Sequence, residues 1–381
     1  MLRLTDVKLP LDHPADAITA AILKKLHLTA GELIGYSIYK RSYDARKKNA
    51  ITLVYTLDVE AAHEAQLLKR LSRDPHVRSA PDMAYHPVAR APAGLTERPI
   101  IIGTGPCGLF AGLVLAQMGF SPILLERGKA VRERTVDTFN FWRKGVLDPE
   151  SNVQFGEGGA GTFSDGKLYT RVGDPEYYGR KVLTEFVRAG APPEILYVSK
   201  PHIGTLRLVA VVQRMRAEIE ALGGEFRFQS RVDDVVIEDG RARAVMLAGG
   251  ERLESGHIVL AVGHSARDTF QMLLERGVHI EPKPFSIGFR IEHPQSLIDR
   301  ARFGAEAGNE ILGAADYKLV HHCANGRTVY SFCMCPGGTV VAAASACRSA
   351  RRCAGASPRA AARLARRPVR SCTCKGRAWT T

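Results

Sequence analysis

Apolar and polar residues alternate along Leu2–Leu9, Gly35–Arg41 and Ile51–Val59, the period of strands with one buried face. Asp16 stands at an N-cap position ahead of a helix predicted to reach about Leu26. Ala61–Leu71 has the spacing of a second helix, and Val77 begins a last short strand. The polar stretch Asp44–Asn49 reads as the turn between paired strands. The order βαββαβ predicts a ferredoxin-like α+β module over residues 1–85, and the proline-marked residues 86–98 read as a linker.

The pattern then changes. Pro99–Leu125 carries no charged side chain and is long enough to span a bilayer. Gly103, Gly105, Pro106, Gly108, Gly112, Gly119 and Pro122 instead divide it into a strand (Pro99–Ile102), a turn, a helix (Cys107–Met118) and a second strand (Pro122–Leu125). This βαβ order implies a parallel sheet and no membrane span. A glycine-rich loop follows Ser151, a helix is predicted over Arg207–Leu222, and short strands occupy Glu225–Val262, the last running into Gly263. The expected fold class is α/β: a Rossmann-like domain with a β-rich insertion, built from 99–175 and 201–270. Residues 176–200 and 271–345 form a partial substrate domain in this reading.

Composition agrees with a globular chain: 45% hydrophobic and 24% charged residues. The net charge of +14 suggests nucleic acid or an anionic surface until it is located. Residues 346–381 hold nine Arg, one Lys and no Asp or Glu, which leaves only +4 for the rest. Their nine Ala and scarce apolar bulk read as a disordered tail translated out of frame. Nucleic acid is therefore not an expected partner. Cys372 and Cys374 have no partner pair at metal-finger spacing, and no metal is expected. Four cysteines in the first 345 residues and no signal peptide fit a cytoplasmic protein.

The chemistry centres on Gly103-Thr-Gly105-Pro106-Cys-Gly108, a GxGxxG placed between a strand and a helix. Gly103 permits the tight turn, Gly105 lets backbone approach a pyrophosphate, and Gly108 allows close helix–strand packing. The helix N-terminus offers amides and a positive dipole end to the phosphates. Glu126 ends the second strand, where a carboxylate accepts ribose hydroxyls and repels a 2′-phosphate. Three features favour FAD over NAD. Arg127 and Arg134 belong to a basic segment able to follow a diphosphate. The loop Phe155–Lys167, with Gly158, Gly159, Gly161 and Thr162, supplies a nest of amides able to cover a flavin. The β-rich stretch 225–262 falls where two-dinucleotide flavoproteins carry an insertion.

The sequence resembles the bacterial FAD-dependent dehydrogenases, largely uncharacterised flavoproteins with a glutathione-reductase-like FAD fold. The resemblance rests on Arg41–Lys48, the Gly103 fingerprint, Asn152–Lys167, Ser199–Thr205, Ala261–Arg267, Lys283–Arg290 and Phe332–Gly338. It implies that Gly103–Gly108 and Glu126 bind FAD, that Val232 faces the adenine through its backbone, and that Gly263 packs against the cofactor. Members of that family continue past the position of Ser345 to a second flavin-binding stretch near the C-terminus, and this chain has none.

Candidate reacting groups are His264 and His202 for proton transfer, and Cys333 with Cys335 as a redox pair. Each has a bland alternative: hydrogen-bonded loop histidines and small packed cysteines. Cys107 is expected to pack. Arg267, Lys283 and Arg290 are candidates to orient an anionic substrate. The function expected is an FAD-dependent oxidoreductase passing hydride or electrons between a small-molecule substrate and an acceptor, both unidentified. The alternatives are an inactive fragment that keeps only the adenylate half-site, and an anion- or RNA-binding protein that uses the basic hairpin (Lys40, Arg41, Arg46, Lys47, Lys48) and the tail.

Overall fold

The computed structural model describes residues 1–345 except Tyr169, Arg171, Thr205, Leu206, Cys333 and Thr339. The basic tail, with the frame reading and cysteines assigned to it, lies outside the described residues.

In β3 (Thr52–Ala61) every second residue from Leu53 to Ala61 is buried, so one face of the strand is apolar. That face meets Ile18, Ile22 and Leu26, one stripe of α1 (Ala17–Leu26), and Leu67 of α2 (Glu64–Arg70). With β1 (Leu2–Pro10), β2 (Leu33–Asp44) and β4 (Val77–Ser79) it forms an antiparallel sheet of order β2-β3-β1-β4. The opposite face holds a charged pair: Arg3 Nε and Nη2 donate to the Asp58 carboxylate at 2.7 and 2.8 Å, and Tyr39 lies 3.6 Å from the guanidinium. Asp16 does precede α1 but makes no side-chain cap bond, because its own backbone is already helical.

The second sheet is parallel. Its strands are β5 (Ile100–Ile102), β6 (Ile123–Leu125), β7 (Glu225–Arg227) and β11 (Ile258–Leu260), in the order β11-β5-β6-β7. Its two central strands are buried on both faces, as their unbroken apolar runs require. Ile101 and Leu124 face α3 (Pro106–Gln117) and α6 (Arg207–Ala221). Ile100, Ile102, Ile123 and Leu125 face a second antiparallel sheet of β8 (Val232–Glu238), β9 (Arg241–Leu247) and β10 (Arg252–Glu254), together with Leu273 of α7 (Arg267–Glu275). The uncharged stretch from Pro99 to Leu125 is thus β5, α3 and β6. Among the described residues no helix is long and apolar enough to cross a membrane.

Two helices absent from the expectations, α4 (Val131–Lys144) and α5 (Tyr178–Arg188), flank the glycine-rich loop. Ala189, Ala191 and Ile195, just beyond α5, join the same apolar cluster as α3 and α6. The remaining elements are α8 (Gln295–Phe303) and the hairpin strands β12 (Val320–His322) and β13 (Thr328–Tyr330). The N-terminal hairpin rests on this scaffold. Arg41 N donates to the Tyr197 carbonyl at 2.7 Å, Ser199 N donates to the Arg41 carbonyl at 2.8 Å, and Tyr43 packs edge-on against Phe303. Arg46 is paired with Asp44.

Candidate functional site

The C-terminal ends of β5, β6 and β11 open into a cavity of about 500 Å³, the place where ligands sit in open parallel sheets. Gly103, Gly105, Pro106, Glu126, Arg127, Gly159, Gly161, Val232, Gly263 and His264 all line it. Residues 160 positions apart in sequence are therefore brought to one space, and the volume lies within the range of cofactor sites.

The turn after β5 determines the floor. Gly103 has φ +99°, and a Cβ there would lie 2.5 Å from the Ala261 carbonyl oxygen at the end of β11. Pro106 occupies the first turn of α3, where its missing N–H costs no helix bond. The other first-turn amides have no intrahelical acceptor and face a ligand position. Across from them, Gly159 (φ +65°) touches the turn: a Cβ on it would lie 2.8 Å from Gly105 Cα. Gly158 N donates to the Thr104 carbonyl at 2.9 Å. The phosphate turn and the glycine-rich loop thus meet backbone to backbone, leaving a cradle that a side chain would fill. That cradle fits the diphosphate of a dinucleotide.

Gly108, Gly158, Thr162 and Arg134 do not line the cavity; they shape it from behind. A Cβ on Gly108 would lie 1.8 Å from the Gly103 oxygen, so this glycine permits packing. Arg134 is fully buried, which corrects its reading as a diphosphate ligand. Its five N–H donors are all engaged: Nε to the Asn152 carbonyl (2.8 Å), Nη1 to the Glu157 carbonyl (2.7 Å) and Thr162 Oγ1 (3.2 Å), Nη2 to the Val153 and Gly159 carbonyls (both 2.8 Å). Burial lowers its pKa to about 10, opposed by the charges of Glu126 and Glu157. Arg134 therefore folds the loop around itself. The buried stripe Val131, Arg134 and Thr138 on α4 is the signal that marks it.

Arg127 lines the cavity with its charge already matched. It bonds Glu150 and Asp268, each at 2.8 Å, and its guanidinium lies 4.1 Å from the Phe155 ring centre. Glu150 and Asp268 carry no local spacing signal, since they lie 23 and 141 residues away. Glu157 is a further buried group that the sequence did not flag. Its Oε2 accepts from Val131 N at 2.7 Å, its Oε1 has no partner, and burial raises its pKa.

Of the reacting groups among the described residues, only His264 reaches the cavity. It is exposed at the mouth, with Nε2 3.3 Å from Ser265 Oγ, which donates to Gln154 Oε1 at 3.3 Å. His202 is exposed and lines a separate hollow with Glu194, Ile195 and Ile203. Cys335 is exposed and accepts from Lys167 Nζ at 3.3 Å; it does not line the cavity, and Cys333 lies outside the described residues. Arg267, Lys283 and Arg290 are exposed and are not part of the lining. Cys107, expected to pack, is exposed and lines the cavity instead. Among the described residues no three His, Cys, Asp or Glu side chains are grouped to hold a metal ion.

Residues 284–360 match the family described as FAD-dependent protein, C-terminal domain-like. Residues 1–60 match a domain of unknown function. An uncharacterized protein of Clostridium beijerinckii is 43% identical over 345 residues, covering 90% of this chain and 64% of that protein. The chain therefore spans less than two thirds of that relative's length. The phytoene desaturase (neurosporene-forming) of Cereibacter sphaeroides is 32% identical over 118 residues, 29% of this chain and 22% of that protein. Among solved structures, THI4 of Thermovibrio ammonificans has 17% identity and a TM-score of 0.31, covering 48% of this chain and 64% of that one. The match to FAD-dependent proteins supports FAD as the cofactor.

Proposed function

We propose that this chain is an FAD-dependent oxidoreductase that holds the cofactor in the cavity between the Gly103–Gly108 turn and the glycine-rich loop. The observation that carries the reading is the cradle itself: two glycine backbones in contact, with the N-terminus of α3 facing the same space. Gly103, Gly105 and the first turn of α3 would hold the diphosphate. Ser230, Arg231 and Val232 would flank the adenine, and Gly159, Gly161 and Gly263 would line the way toward the flavin ring. Bound FAD supplies two-electron chemistry by accepting hydride and passing the electrons on. The chain's own part is to bind, orient and exclude water. His264, an exposed residue of the cavity lining, would exchange a proton with a substrate. The order β2-β3-β1-β4 around βαββαβ supports a ferredoxin-like reading of the N-terminal sheet, which buttresses the cofactor domain.

The test is the visible absorption spectrum of the purified chain, as isolated and after incubation with FAD. A bound-flavin spectrum at one equivalent is expected. A folded, colourless protein that leaves added FAD unperturbed would overturn the reading.

A further inference from the structure

We propose that the run 284–292 pairs, antiparallel, with the same run of a second copy of this chain, about a two-fold axis at Gly288. The inference does not rest on the cofactor reading. Every residue over 281–292 is exposed, and Phe285, Ile287, Phe289 and Ile291 are each at least 76% exposed. In an extended chain these four side chains lie on one side. The Ser286 hydroxyl shares a hydrogen bond with Tyr330 of β13, which holds the polar side of the run against the hairpin and leaves the apolar side outward. At about 150 Å² apiece the four offer about 600 Å² per copy. A contiguous apolar patch of that size marks an interaction site. Two copies would bury about 1,200 Å², the lower end of specific interfaces.

Three features point to a copy of the chain as the partner. First, the run is complementary to its own reverse. Turned about Gly288, it sets Phe285 opposite Ile291 and Ile287 opposite Phe289, so every aromatic ring meets a β-branched side chain. Second, its main chain is open to pairing. Among the described residues no main-chain to main-chain hydrogen bond involves 279–293. Third, its two edges differ. Alternate residues direct their N–H groups to opposite edges, and Pro282 and Pro284 remove donors from one of them. The edge of Lys283, Phe285, Ile287, Phe289 and Ile291 keeps all of its donors. When that edge turns inward, Gly288 faces its equivalent at a position without main-chain bonds, where Cα atoms approach to about 4.5 Å. The proline-blunted edges then lie outward and stop growth at two copies.

The experiment is sedimentation velocity on the full chain from about 0.5 to about 100 µM, a range that brackets a micromolar dissociation constant. A monomer that passes into a dimer is expected. Ile287→Lys and Phe289→Lys should each weaken the dimer by at least about tenfold, and the diluted monomers should melt like wild type because both positions are exposed. Gly288→Cys adds a test of register. A Cβ at Gly288 meets nothing within 4 Å, so the thiol fits the monomer. Oxidised glutathione should then yield a disulfide between the two copies of position 288, identified by mass spectrometry, because a Cα separation of about 4.5 Å permits one. Gly249→Cys, also in open space, should give no such link. A chain that stays monomeric at the highest concentration would overturn the proposal. So would a dimer that survives both lysine variants without the 288–288 link, or species that keep growing beyond two copies. Hydrogen-exchange protection of 285–291 in the diluted monomer would likewise overturn it, by showing that another part of the chain covers the run.

Discussion

Replacing Arg134 by lysine tests whether the glycine-rich loop is built around a buried guanidinium. Lysine keeps the charge but offers three donors in place of five. Arg134 serves four carbonyls and the Thr162 hydroxyl, so at least two of these acceptors lose their partner. They lie under the loop, where an orphaned acceptor costs about 1–3 kcal/mol. The expected loss is therefore about 2–6 kcal/mol, added to the misfit of an ammonium in a planar site. At about 2–4 °C per kcal/mol, the melting temperature of the apoprotein should fall by at least about 4 °C. The assay is a thermal melt followed by circular dichroism, with limited trypsin digestion to find where the chain opens. New cleavage should fall close to Lys167, at the end of the loop. A diphosphate ligand would behave differently: Arg134→Lys would melt like wild type and lose affinity only for the cofactor. That outcome, or a melting temperature within about 1 °C of wild type, would refute the role assigned to Arg134.

Glu157 carries a pH signature. Burial raises its pKa in the folded chain, so the native state holds the proton longer than the unfolded state does. Its contribution to stability is full below the ordinary carboxylate range and is lost as pH rises through the raised native value. Glu157→Gln should therefore gain melting temperature relative to wild type as pH climbs from about 4 to about 8; parallel curves would exclude this. Gly159→Ala should weaken FAD binding by at least about tenfold, because a side chain at φ +65° against Gly105 costs about 1–2 kcal/mol before the cradle is even filled. Gly249→Ala, with open space around it, should bind FAD like wild type, and flavin fluorescence titration measures both. Arg127→Ala leaves Glu150 and Asp268 without their shared cation and removes the contact with Phe155, so FAD should dissociate faster in stopped-flow displacement. An unchanged dissociation rate would show that this bridge does not hold the cavity wall.

What the sequence discloses follows from how local each cause is. The Gly103–Gly108 turn is legible because its strand, turn and helix are contiguous. The alternation in Ile51–Val59 likewise predicts most of β3, whose neighbours supply edges on both sides. Arg134 looks like a diphosphate ligand in the sequence because its acceptors, 18 to 28 residues away, are fixed by a loop whose path no periodicity encodes. Glu126 is legible from its position at a strand end, yet the amides of Gly128 and Gly156 that donate to it come together only because two backbones touch. The run Phe285, Ile287, Phe289 and Ile291 shows the converse. It alternates as a strand should, each residue is at least 76% exposed, and the backbone over 278–294 has no regular structure. Alternation becomes a strand only where another strand pairs with it.

The order of strands in the parallel sheet sets a schedule for the growing chain. Ile100 of β5 pairs on one side with Ile123 and on the other with Ile258. The first neighbour leaves the ribosome soon after β5, while the second follows about 8–30 s later at ordinary synthesis rates. Through that interval β5 exposes an apolar edge with unpaired amides, a ready template for other chains. Gly103 leans on the Ala261 carbonyl, so the phosphate turn reaches its final shape only when β11 arrives. Until then the nascent polypeptide has an open sheet edge and no finished nucleotide site, and that waiting period is where chaperone occupancy and losses to aggregation would concentrate.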